Sequence, residues 1–144
     1  EKASRPVNLF ESMKLIDILY DDALRQQLRD FSEKQYSDEN VDFWIDLITT
    51  GKHDFELDEH EDLPGYLSSN QIMEVKYILD DNLDYVGSQL LVAFGGPNIW
   101  IDTQYKTVNG YWWGDDVIRA YWEDFIGLDD HIKELYECSK SSCS

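Results

Sequence analysis

The chain is predicted to be an α+β domain, with several helices packed on a small antiparallel sheet. Three observations predict this class. Apolar residues recur at helical spacing in several segments, beginning with Leu15, Leu19, Leu24, Leu28 and Phe31. A segment near 99–113 is rich in aromatic and β-branched residues, as a hairpin requires. Glycine and proline clusters punctuate the segments between them. A length of 144 residues suits one domain. A content of 42% hydrophobic and 14% aromatic residues is too apolar for a disordered acidic tail.

The elements follow in order. Residues 1–12 are expected to be a flexible N-terminal segment, with no apolar signal region after Glu1–Pro6. Asp17 to Phe31 reads as helix. A second helix runs from about Asp38 to Ile48, with Ser37 as N-cap, Asp38 and Glu39 in its first turn, and Gly51 as its stop. Val41, Trp44, Ile45 and Ile48 form its apolar stripe. Residues 52–66 read as an acidic loop ending in a Pro64-Gly65 turn. Ser68 or Ser69 then caps a third helix through about Leu83, with Ile72, Val75, Ile78 and Leu79 as its apolar side.

Gln89 to Phe94 is a short apolar run that fits either helix or strand. Gly95-Gly96-Pro97-Asn98 breaks the chain. Its proline removes a backbone donor that a phosphate loop would need, so a tight turn is expected. Ile99–Thr103 and Thr107–Trp113 make the hairpin around a turn at Gln104–Lys106. A last helical region spans about Asp116 to Cys138, broken near Gly127. The single acidic domain thus covers 13–138, and residues 139–144 are expected to be a flexible tail. Cys138 and Cys143 make neither a disulfide framework nor a zinc site; a reduced pair is favoured over a small terminal disulfide loop.

Charge bounds the function. The chain holds 30 acidic and 12 basic residues, a formal net charge of -18. Such a field repels nucleic acid and acidic membranes and attracts basic surfaces, above all grooves that grip nucleic acid. Between Asp54 and Asp84 the only base is Lys76. Asp54, Glu56, Asp58, Glu59, Glu61 and Asp62 form one candidate contact cluster, and Asp80, Asp81 and Asp84 a second. Carboxylates at such density approach the charge spacing of DNA, ~1.7 Å along the helix axis. Trp100, Tyr111, Trp112 and Trp113 are candidate aromatic contacts. Alternation on a strand puts Tyr111 and Trp113 on one face and Trp112 on the other.

Other chemistries find no matching pattern. His53 and His60 lie among acids, but their spacing fits neither a zinc helix nor a calcium loop, so no metal or other cofactor is expected. No activated serine or cysteine nucleophile and no phosphate-binding glycine loop occurs, so no catalytic residues are assigned and an enzyme is not expected. No run of about 18 apolar residues predicts a membrane span.

Two resemblances add expectations. Leu15–Leu19, followed by Asp30–Trp44 with its Ser37-Asp38-Glu39-Asn40 and Phe43-Trp44, resembles the early helices of regulator-of-G-protein-signalling domains. That resemblance implies an all-helical fold and a G-protein partner; the hairpin at 99–113 has no counterpart in it. The second half, Gly95–Thr103 followed by Val108–Gly114 and an acidic closing helix over Asp129–Glu137, is similar to small acidic proteins of phages and plasmids. The broader likeness is to counter-defence proteins of the anti-CRISPR and antirestriction type. It implies a non-enzymatic inhibitor in the bacterial cytoplasm whose partner is a Cas or restriction nuclease. An accessory phage protein is the remaining reading.

Overall fold

A computed structural model describes residues 21–112 and 115–142. Its order is α1 (Asp22–Thr50), α2 (Leu63–Asn70), β1 (Glu74–Leu79), β2 (Tyr85–Ala93), β3 (Asn98–Asp102), β4 (Thr107–Trp112), β5 (Asp115–Ala120) and α3 (Leu128–Ser142). The α+β class is as expected: among the described residues three helices accompany one antiparallel sheet, ordered β1-β2-β3-β4-β5. The hairpin of β3 and β4 lies where the aromatic and β-branched residues predict it, pairing Ile99 with Gly110 and Ile101 with Val108.

The first two predicted helices are one. Asp21 caps α1 by accepting from the Leu24 N–H, and Gly51 closes it with φ 76°, its own N–H donating to Leu47 O. Nothing between Phe31 and Asp38 breaks a helix, because the intervening Ser-Glu-Lys-Gln-Tyr-Ser contains neither glycine nor proline. Ser37 is therefore no N-cap. It is fully buried inside α1, together with Val41, Trp44, Leu47 and Ile48. Residues 17–20 lie outside the described residues, as do 1–12.

Four further expectations are corrected. Pro64-Gly65 is the first turn of α2 and not a loop end: Asp62 accepts from the Gly65 N–H, and proline suits a position where the helix needs no donor. The helix predicted through Leu83 is strand β1, because Val75, Tyr77 and Ile78 favour an extended chain and Val75 pairs with Leu90. The last helical region begins only after Gly127; Asp115–Ala120 is instead edge strand β5, paired along β4. The closing helix then continues through Ser142, so 139–142 are helical and not tail. The ambiguous run at 89–94 falls largely in β2.

Strand register assigns the two sheet faces. Val75, Leu90, Ile101 and Val108 form one cross-strand row, and Leu90, Ile101 and Val108 are fully buried. This face receives α1 over β3–β5 and α3 over β2. Leu128 and Ile132 of α3 complete the core with Leu67 of α2. Leu91, Trp100, Asn109 and Ile118 form a row on the opposite face. A bulge at Val92 turns both Val92 and Ala93 toward the core.

Candidate functional site

In the acidic loop, side chains alternate in exposure from His53 to Asp58. Asp54, Glu56 and Asp58 are exposed, while His53, Phe55 and Leu57 are half-buried. Phe55 anchors this arrangement by stacking on Tyr66 of α2, ring centroids 4.8 Å apart. Glu59 and Asp62 are exposed and Glu61 half-buried. Two of these acids also hold the backbone: Glu61 accepts from the Asp58 N–H and Asp62 caps α2.

The second cluster crowns the β1–β2 hairpin. Asp80, Asp81 and Asp84 are all exposed. Asp80 Oδ1 accepts from the N–H groups of Asn82 and Asp84 at 2.9 and 3.0 Å, an Asx-type turn that fixes the tip.

Helix α3 lies between the two clusters. On one side, Asp130, Glu134 and Glu137 line a groove with Asp62. These three recur at helical spacing on one face of α3, with Lys133 and His131 beside them. On the other side, the Tyr136 hydroxyl donates to Leu83 O at 2.8 Å, tying α3 to the hairpin tip. Tyr77, Tyr85 and Tyr136 cluster beneath it, with ring centroids 5.2–6.4 Å apart. The Tyr85 hydroxyl donates to Asp129 at 2.6 Å. Burial, reinforced by that bond, pushes the Tyr85 hydroxyl up to about 12.

Among the described residues, no carboxylate of either cluster is held in an ion pair. Among the described residues the ion pairs are Arg25–Asp22, Lys34–Asp38, Lys76–Glu74 and Arg119–Asp42. None includes a residue from either predicted cluster. No group of three metal-binding side chains occurs among the described residues.

The chain matches no protein-family model, no curated protein and no solved structure. The five-stranded sheet departs from the all-helical fold that the signalling resemblance implies.

The predicted aromatic set separates. Tyr111 is 41% exposed on the face opposite the helices, and Trp100 is half-buried there beneath the Lys76 ammonium, 4.8 Å from its ring centroid. Trp112 is 7% exposed and sits on the helix side, with Lys34 of α1 above its ring, so it is a packing residue in this arrangement. Trp113 lies outside the described residues. The sequence marks the closing helix as acidic, but Asp130, Glu134 and Glu137 were not among the expected contacts, although their spacing on one helix face carries the signal.

Proposed function

We propose that the protein is a non-enzymatic inhibitor that binds the basic nucleic-acid channel of a host defence nuclease, its carboxylates taking the place of phosphates. The observation that carries this reading is the acidic surface around α3, with the 54–62 loop on one side and the 80–84 tip on the other, whose carboxylates form no ion pair among the described residues. Fixed backbone supports it. Asp80 and Asp62 organise their own turns, so neighbouring carboxylates are held before a partner arrives, and less ordering entropy is lost on binding. A field of this sign speeds encounter with a basic groove and disfavours nucleic acid itself. The likeness of residues 95–114 to phage and plasmid proteins points to Cas and restriction nucleases as the partner class and the bacterial cytoplasm as the place.

The experiment is a pull-down against a panel of Cas and restriction nucleases, followed by competition with their DNA. Loss of DNA binding in proportion to inhibitor bound supports the mechanism. Capture of a nuclease that still binds its DNA fully refutes mimicry.

A further inference from the structure

We infer that the seam between α1 and the segment joining β5 to α3 is an aromatic anchor for an arginine-rich face of a protein partner. This surface presupposes the basic partner proposed above and, apart from Asp54 at its edge, lies outside the acidic clusters assigned to it.

The seam is fixed at both ends. Arg119 donates to Asp42 of α1 at 2.8 Å, and the Phe125 N–H donates to Ile48 O at 3.0 Å. The chain from 119 to 125 thus runs alongside α1 from Asp42 to Ile48. Tyr121 within it is only 3% exposed, which pins the backbone. Its neighbour Trp122 is 82% exposed, Phe125 62% and Phe43 45%. Tryptophan is highly buried on average in folded chains, so a tryptophan displayed on anchored backbone is an unusual arrangement. Phe43 is itself braced, edge-on to the buried Trp44 ring at 5.6 Å. Large rings on a rigid support are the features of binding anchors.

The surrounding charge selects the occupant. Phe43 shares a groove with Asp46, Lys52, His53 and Asp54, and Glu123 is exposed beside Trp122. An apolar ring beside carboxylates suits arginine, whose planar guanidinium stacks on aromatic faces while bonding a carboxylate in two-point fashion. Lysine has neither planarity nor the donor fork. A second copy of this chain, with the same -18 charge, would be repelled, as would nucleic acid or an anionic membrane.

The test uses the full chain and two probes, a short arginine-rich peptide and a lysine peptide of equal length and charge. Binding is followed by calorimetry and by the tryptophan indole NMR signals, with Trp122→Ala assigning its own signal. Wild type is expected to bind the arginine peptide more tightly, with the Trp122 signal shifted most. Trp122→Ala and Phe125→Ala are each expected to weaken that binding about ten-fold and to erase the preference over lysine. The triple variant Asp80→Asn, Asp81→Asn, Asp84→Asn is expected to weaken both peptides alike. If Trp122→Ala binds both peptides as wild type does, the anchor is overturned while the basic-partner reading stands. If wild type binds neither peptide at low salt, both are overturned.

Discussion

Gly110→Ala tests how closely α1 is seated on the sheet. A Cβ at Gly110 would point from β4 into the underside of α1. It would meet Val41 Cγ2 at 3.1 Å and Ile99 Cδ1 at 3.2 Å, and would run into Ser37 Oγ still more closely. The two methyl contacts require shifts of a few tenths of an ångström, but the hydroxyl must vacate its place. Overpacking of a close-fitted core costs about 1–3 kcal/mol, and three simultaneous contacts place this variant at about 2–3 kcal/mol. For a domain of this length that lowers the melting temperature by roughly 8–12 °C. Ser37 sharpens the expectation, because its buried hydroxyl has no hydrogen-bond partner among the described residues. Ser37→Ala alone should therefore be neutral or stabilising by up to ~1 kcal/mol. With that oxygen gone, the added methyl has room, and the double variant should recover about 1–2 kcal/mol of the loss as coupling energy. Urea unfolding of all four proteins closes the cycle. An additive double variant, or a Gly110→Ala protein within ~0.5 kcal/mol of wild type, would refute this account of the seat.

Asp124 accepts from the Leu128 and Asp129 N–H groups at 2.9 and 2.8 Å, so Asp124→Ala should cost about 1–2 kcal/mol in thermal unfolding and loosen the start of α3. Added salt should raise the melting temperature of wild type by a few degrees, since screening relieves the self-repulsion of a chain at -18; a flat salt response would count against that field. The Tyr85 hydroxyl ionises near 10 in an unfolded chain and is pushed up to about 12 here by burial and by Asp129. Its contribution to stability is therefore complete below pH ~10 and is lost as pH rises toward 12. Tyr85→Phe should flatten the stability profile in that window, and an unchanged slope would contradict the assignment.

The hairpin of β3 and β4 was legible because Ile99, Ile101, Thr107 and Val108 favour extended backbone and Gly95–Pro97 marks where the chain turns. Strand β1 was not, since Ile72, Val75, Ile78 and Leu79 recur at helical spacing and share no single face of a strand. Pairing with Leu90 and Gln89 decides the matter, and pairing is a long-range fact. Strand β5 was hidden in the same way, as its identity comes from β4. The acids of the 54–62 and 80–84 segments stood out by composition, but their placement on either side of α3 depends on Tyr136 reaching Leu83 and on the groove at Asp62. Trp122 and Tyr121 are adjacent, aromatic and opposite in exposure, a distinction that only the path of the chain along α1 creates.

The sheet order β1-β2-β3-β4-β5 has a kinetic consequence. Every strand pairs with its neighbour in sequence, so each pairing closes a short loop and loses little chain entropy. The docking of α1 is different: Ser37 and Val41 meet Gly110 across about half of the chain's length. Sheet formation can therefore run ahead, while the arrival of α1 is the step that closes the long circuit. Weakening the α1 seat should then act mainly on the rate of unfolding, and the meander should be the part of the molecule that regains its structure first.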